Sequence, residues 1–280
     1  MTISILASLA AGITAAANAA EHSQGEKAPP ATVKVTLPGG VPMELVRIPA
    51  GSFQMGSSAS EEGHEPDEVP VHAVTIGQDF YIGKTEVTQG QWLALMGGWP
   101  DPKRAPSREF GFGKEYPAYF VSWHDSREFI EALNAHIRKT GQGPATFRLP
   151  TEAEWEYACR AGTQTPFFFG DLKRAGDYMW FQDNNTTKST KPVAAKLPNP
   201  WDLYDMSGNV WEWCQDWYHP SYEGAPADDR SWDENPGEFV ILRGGDFDNR
   251  WGACRSPNRN DHRKREDRTK DLGLRLVLAP

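Results

Sequence analysis

The sequence has few cysteines and no excess of positive charge. Its 280 residues include three cysteines, and none stands in a CxxC or Cys/His spacing that would indicate a zinc site. The formal net charge of −9 argues against non-specific binding to nucleic acid or to anionic membrane surfaces. The chain shows no internal repeat, and its length allows one large domain or two small ones.

The N-terminus lacks a basic residue before Lys27. An uncharged apolar stretch from Ile3 to Ala17 leads into the small residues Ala17-Asn18-Ala19, which predicts a signal peptide over residues 1–19 and hence a periplasmic protein. The stretch is too short and too rich in alanine to predict a membrane span. Because the basic flank is missing, an upstream start, an atypical signal and a cytosolic tail remain alternatives. Residues 20–40 are expected to form a linker and a leading strand, and residues 41–280 the domain.

Regular secondary structure is expected to be sparse, since the chain holds 11 tryptophans, 26 glycines and 22 prolines. Three helices are predicted. The first begins after Thr88, the second covers residues 123–139, and the third begins after Thr151, where Glu154 completes a capping box, and ends near Gly162. Strands are predicted over residues 33–37, 43–49, 69–76, 79–82, 192–195, 239–243 and 272–278.

The stretch Asp202–Tyr218 places three tryptophans, Asn209 and four acidic residues in 17 positions. The turn formers at 207–209 interrupt its apolar pattern, which predicts a loop that braces a short strand or turn. Its carboxylate and carbonyl oxygens suit a hard cation such as Ca²⁺. Alternatively, the tryptophans are core and the carboxylates are solvated, and the residues alone leave both interpretations open.

Seven segments together resemble the formylglycine-generating enzyme family, also called the sulfatase-modifying factor domain. They occur in family order and read IPAGSFQMGS, KTEVTQGQW, PAYFVSWHDS, FRLPTEAEWEYACRAGT, DLYDMSGNVWEWCQDWY, VILRGGDFDN and DLGLRLV. The resemblance covers roughly residues 41 to 278. It implies a compact α+β fold with unusually little regular secondary structure, related to C-type lectins.

The family's oxidases bind copper through two cysteines after the Gly-Gly pair and convert a substrate cysteine to formylglycine. Counted from Gly245, the first of these places falls on Asn249 and the second on Cys254. A copper(I) site built on soft thiolates does not keep its affinity when an amide oxygen replaces one sulfur. Bound copper is therefore not expected.

The resemblance also implies a structural disulfide between Cys159 and Cys254. Such a bridge would close a loop of about 95 residues and contribute about 4 to 5 kcal/mol in the chain-entropy model. The alternative is a free, reactive Cys254. With the bridge formed, Cys214 is left as a buried thiol packed against tryptophan.

For the cofactor, the resemblance implies a structural Ca²⁺. The side chains of Asp205 and Glu212 and the backbone carbonyls of Gly208 and Val210 would hold it. A second calcium site near Asn184 and Asn185 is too divergent for its ligands to be assigned.

The expected catalytic residues lie in the C-terminal tail. Glu266 is the first candidate for a general acid or base and His262 the second. The alternative for Glu266 is an ion pair with a neighbouring arginine on a solvated face. The expected substrate-binding residues are Trp211, Arg243, Asn249 and Arg259.

The resemblance leads to three hypotheses about function. The first is an exported maturation enzyme that oxidises a peptide siderophore precursor, converting dihydropyoverdine to pyoverdine, as in the periplasmic pyoverdine-maturation branch of the family. The second is a sulfatase-activating oxidase, which requires a free, copper-binding Cys254. The third is a non-catalytic, lectin-like binding module.

Overall fold

The computed structural model describes residues 31–259 and 261–279. The predicted signal peptide over residues 1–19 and the linker before residue 31 lie outside this range. No helix within the described range is long and apolar enough to cross a membrane.

Across residues 31–259 and 261–279, eleven short strands form three sheets. The first sheet is antiparallel and has the order β1-β2-β5-β11-β6 (Thr32–Leu37, Val41–Ile48, Phe80–Gly83, Val277–Leu278 and Phe147–Arg148). The second has the order β10-β7-β8-β9 (Leu272–Gly273, Trp211–Trp217, Val240–Arg243 and His262–Arg263). The third pairs β3 with β4 (Gly51–Met55 and His72–Ile76). The predicted α+β fold with little regular secondary structure is confirmed.

The described part of the chain also contains four α-helices: α1, α2, α3 and α4 (Gln89–Met96, Trp123–Thr140, Glu152–Arg160 and Ala175–Tyr178). The first three begin with a full capping box, in which the cap hydroxyl accepts from the third helical N–H and the third side chain accepts from the cap N–H. The predicted caps Thr88 and Thr151 are confirmed. Helix α3 ends at Arg160, two residues before Gly162.

Two strand predictions differ from the structure. Residues 192–195 form a turn, because Ala194 has a positive φ of 56° and its N–H donates to Asp205 Oδ2 at 2.7 Å. The strand predicted over residues 272–278 is split into β10 and β11. Between them the chain passes from the second sheet to the first, where the carbonyls of Leu274 and Leu276 accept from Val87 and Gly83.

The core combines apolar clusters with buried charge. Within the described range, five arginine side chains are almost completely excluded from water: Arg160, Arg243, Arg255, Arg259 and Arg275. Each is paired with a buried or half-buried glutamate. A buried charge is tolerated only when it is paired and hydrogen-bonded, so these pairs fix how loops and sheets meet.

Candidate functional site

A cavity of about 410 Å³ opens beside the start of β7. Its wall combines two indole rings with two carboxylates, an amide and a guanidinium. The lining residues are Gly63, Glu65, Trp211, Arg250, Trp251, Gly252, Ala253, Asn258 and Asp261. The tryptophan-rich stretch therefore meets the C-terminal tail here, as the sequence predicted.

Trp211 forms the buried part of this wall. Its side chain is 2% exposed, and its indole Nε1 has no hydrogen-bond partner among the described residues. Its backbone N–H donates to the carbonyl of Asp271 at 2.8 Å, which places the ring at the junction of β7 and β10. The Oδ1 atom of Asn258 is likewise buried and unpaired within the described range. Unpaired buried polar atoms in a cavity wall are available to a ligand or to water.

The cavity lies in an acidic environment. Asp261 accepts from the Arg263 guanidinium, and burial together with Asp271 raises the pKa of Asp261 to about 6 despite that pairing. Burial, together with the charge of Asp271, also raises the pKa of Asp246 to about 7. Carboxyl groups with raised pKa values beside a cavity are typical of functional sites.

The two positions to which the motif count assigns the copper cysteines both have structural roles. Asn249 closes a turn, since its Oδ1 accepts from Asp246 N at 3.0 Å and its own N–H donates to Asp246 O at 3.2 Å. Cys254 ends a short 3-10 helix and is fully buried, and burial raises the pKa of its thiol. A Cβ on Gly245 would lie 2.7 Å from its Sγ. The pair does not fit a two-thiolate copper site.

The predicted disulfide is not formed in the structure. Cys159, Cys214 and Cys254 are three free, buried thiols. Cys159 Sγ contacts Ser256 Oγ at 3.4 Å and Met206 O at 3.5 Å, whereas Cys254 Sγ faces Arg250 O at 3.9 Å. The two sulfurs therefore have separate partners. Burial also raises the pKa values of all three thiols, which favours the unreactive protonated form.

The side chains of Arg243 and Arg259 are not accessible to a substrate. Both are fully buried. Arg259 makes two hydrogen bonds of 2.8 and 3.0 Å to Glu152, while Arg243 pairs with Glu152 at 3.3 Å and also with Glu156. Although burial raises the pKa of Glu152, the two arginines outweigh it and hold the pKa below its usual value. The substrate-binding role predicted for both residues is therefore replaced by a structural one.

The predicted catalytic residues lie outside the cavity lining. Glu266 is exposed on the turn after β9. This turn is fixed to α2, because the Arg265 guanidinium lies between the rings of Trp123 and Trp217, at 4.1 and 3.7 Å, and Arg268 pairs with Asp125. Glu266 itself makes no ion pair or side-chain hydrogen bond within the described range.

His262 stacks on Tyr218, with the ring centroids 3.8 Å apart, and burial lowers its pKa. Its Nδ1 is buried without a partner in the described part of the chain. The ring is therefore held as a neutral aromatic side chain between its neighbours, next in sequence to Asp261 but not in the cavity lining.

Only some of the calcium ligands predicted from the motif have an oxygen atom without a hydrogen-bond partner in the described part of the chain. Asp205 is fully buried, and its Oδ1 has no partner among the described residues. The same holds for Oε2 of Glu86, a residue that the sequence analysis did not select. Burial raises the pKa of both carboxyl groups, that of Asp205 to about 6. A side-chain hydrogen bond with Glu86 lowers the pKa of Asp205, so a proton shared between the two carboxyl groups satisfies these oxygens as well as a cation would.

Glu212 does not fit the predicted set. Its two oxygens accept from Arg275, with contacts of 2.7 to 3.1 Å, and from Trp155 Nε1 at 2.7 Å. A cation there would compete with the guanidinium. Backbone N–H groups of the same stretch are also engaged, since that of Gly208 donates to Gly244 O at 2.8 Å. No three His, Cys, Asp or Glu side chains of the described residues converge as a metal site.

Four residues of the cavity lining were not predicted from the sequence: Asp261, Asn258, Trp251 and Glu65. Asp261 could have been found, because it directly precedes the basic run that contains both predicted catalytic residues. The others carried no such signal, since only the fold brings the loop at residue 65 next to residues 251–261.

Comparison with known proteins agrees with the family resemblance of the sequence. The family model of the sulfatase-modifying factor enzyme 1-like domain matches residues 34–280. The solved structure of PvdO from Pseudomonas aeruginosa superposes with a TM-score of 0.74 at 33% identity, covering 85% of this chain and 94% of PvdO. The chain is also 32% identical to the chaperone protein LppX of Paenibacillus barcinonensis, over 63% of this chain and 73% of LppX. It is 30% identical to the formylglycine-generating enzyme of Streptomyces coelicolor, over 72% of this chain and 78% of that enzyme.

The fold and the cavity thus define an α+β domain of the sulfatase-modifying type. The chain belongs to the formylglycine-generating enzyme family, and it resembles PvdO within that family.

Proposed function

We propose that this protein is an exported maturation enzyme that oxidises a peptide siderophore precursor, with dihydropyoverdine as substrate and pyoverdine as product. The observation that carries the proposal is a PvdO-like fold together with a cavity that the tryptophan-rich stretch and the C-terminal tail line jointly. The wall of that cavity is aromatic and acidic, which suits a planar group on a peptide better than a thiol.

The chemistry proposed here does not use thiolates. Asn249 offers an amide that already closes a turn, and the thiol of Cys254 is buried and protonated. Two soft ligands are needed to hold copper(I), so the formylglycine reaction is the weaker candidate. Structural calcium remains a separate proposal that rests on Asp205, with Glu86 as its neighbour.

A larger cavity of about 510 Å³ lies elsewhere, beside Lys84, Lys114 and Tyr204. Its lining includes Glu44 and Glu115 but no tryptophan. We place the reaction in the smaller cavity because it joins the tryptophan-rich stretch to the tail and contains unpaired buried polar atoms.

The test is a deletion strain of the producing organism, complemented with wild-type protein or with the Cys254→Ala variant. The proposal expects that deletion stops formation of the fluorescent chromophore in the exported fraction and that both proteins restore it. Normal chromophore formation in the deletion strain would contradict the proposal. Failure of Cys254→Ala alone, with the variant folded, would favour the copper oxidase instead.

A lectin-like binding module is the competing function. It predicts that purified protein binds the precursor and converts none of it under oxygen. Conversion measured by the rise of chromophore absorbance distinguishes the two.

A further inference from the structure

Asp261 is one of the two carboxylates that line the cavity, the other being Glu65. The side chain of Asp261 is 16% exposed. Its carbonyl accepts from Leu242 N at 3.2 Å, which ties the residue to β8 immediately before β9 begins. The carboxylate is thus held by the sheet rather than by a mobile loop. A rigid element positions a reacting group more accurately than a loop does.

Several charged groups surround this carboxylate. Arg263 donates to it, and Asp271 and Asp246 lie close enough to interact with its charge. Glu65 and Arg250 line the same cavity, and His262 follows in the chain. Burial and Asp271 raise the pKa of Asp261, and Arg263 opposes them, so that the pKa is about 6. The group is therefore ionised above pH 6, yet it binds a proton more readily than an ordinary aspartate does.

We propose that Asp261, rather than Glu266, accepts a proton from the group that the substrate places in this cavity. This inference rests on the proposed function. In the step, an O–H or N–H bond of the substrate breaks, and its electron pair stays on the heteroatom. An O–H bond forms on Asp261, and the proton later leaves to water. No electrons leave the substrate in this step.

Two neighbours support the transfer. The Trp211 indole N–H, which has no partner among the described residues, is a donor for the negative charge left on the substrate. Arg263 is a positioning residue, because its guanidinium orients the carboxylate and keeps it ionised. Removing that cation should raise the pKa of Asp261 and leave the cavity otherwise intact.

The experiment measures kcat and KM against pH for wild type and three variants. Asp261→Asn should lower kcat by roughly 100-fold or more, the usual loss for a general base, with little change in KM. Arg263→Gln should move the acidic limb of the kcat profile to higher pH and recover much of the rate at alkaline pH. Glu266→Gln, a similar carboxylate-to-amide change on the adjacent turn, should not shift the acidic limb of the kcat profile. Circular dichroism of each variant checks folding, and Asp261→Glu should recover part of the rate.

The outcomes separate this inference from the function on which it rests. A wild-type protein that does not convert the precursor overturns both. Conversion with an unchanged profile in Asp261→Asn, or with the larger loss in Glu266→Gln, overturns the role of Asp261 and leaves the proposed function standing.

Discussion

Trp211 and Trp213 lie two positions apart on β7, and both are buried, but only one of their indole N–H groups has a hydrogen-bond partner among the described residues. That of Trp213 donates to Val121 O at 2.9 Å. That of Trp211 has no partner in the described part of the chain and borders the cavity. The indole N–H of Trp213 therefore stabilises the fold, whereas that of Trp211 is available to a ligand.

Substitution by phenylalanine should distinguish these two tryptophans. Trp213→Phe leaves the Val121 carbonyl without its donor, which costs about 1 to 3 kcal/mol in addition to the lost packing. Trp211→Phe loses a comparable area but breaks no hydrogen bond, so its free energy of unfolding should stay higher than that of Trp213→Phe by about 1 kcal/mol or more. Urea unfolding measures both. Equal losses would show that the Trp211 N–H is satisfied in solution.

Replacing Arg243 by methionine should destabilise the protein strongly. The variant leaves Glu152 with one of its two arginines and removes an arginine from Glu156, both in the interior. Breaking a buried pair in this way costs about 3 to 5 kcal/mol. The control is Arg230→Met, because Arg230 pairs with Asp228 on the surface and should change stability by less than about 1 kcal/mol. Similar unfolding midpoints for the two variants would contradict the structural role assigned to Arg243.

Alanine should not be accepted at Gly208. This residue has a φ of 80°, and a Cβ would lie 2.1 Å from the carbonyl oxygen of Trp180. The left-handed conformation alone costs about 1 to 2 kcal/mol for alanine, and the backbone contact adds to it. Gly176→Ala is the matched control, since nothing lies within 4 Å of the added Cβ and the residue is in α4. Thermal melts should show a large fall for the first variant and little change or a gain for the second.

Glu212→Gln should destabilise the protein equally in calcium and in chelator. The lost partner is the Arg275 guanidinium, whose buried charge then has Glu86 and Asp205 as its nearby carboxyl groups. The expected cost is about 3 kcal/mol, the lower end for a broken buried pair. The measurement compares unfolding of wild type and variant in CaCl₂ and in EDTA. A loss confined to the calcium samples would restore Glu212 as a metal ligand.

Local signals allowed the helices to be predicted. Thr88 and Thr151 each cap a helix because a hydroxyl and a side chain three residues later satisfy the first N–H groups, and this pairing is visible in sequence. The turn at Ala194 was missed because its cause, the hydrogen bond to Asp205, joins residues in a loop without periodicity. The fold class was predicted from the long family motifs rather than from the pattern of apolar residues.

The site was harder to predict than the fold. Trp211 and the tail do meet at the cavity, as expected. Arg243 and Arg259 were predicted to bind substrate because the sequence does not show that an arginine near a motif is buried. Their glutamate partners lie more than 80 positions earlier in the chain, so the ion pairs could not be predicted either. Glu266 was predicted in place of Asp261 because a run of charged residues does not indicate which of its side chains is buried.

The buried arginines also bear on how the protein responds to its surroundings. Dissolved ions weaken attractions between charges that water reaches, but they do not enter a packed interior. The pairs made by Arg243, Arg259 and Arg275 are enclosed on every side. The contribution of these pairs to the folding free energy should therefore stay nearly constant from dilute buffer to concentrated salt.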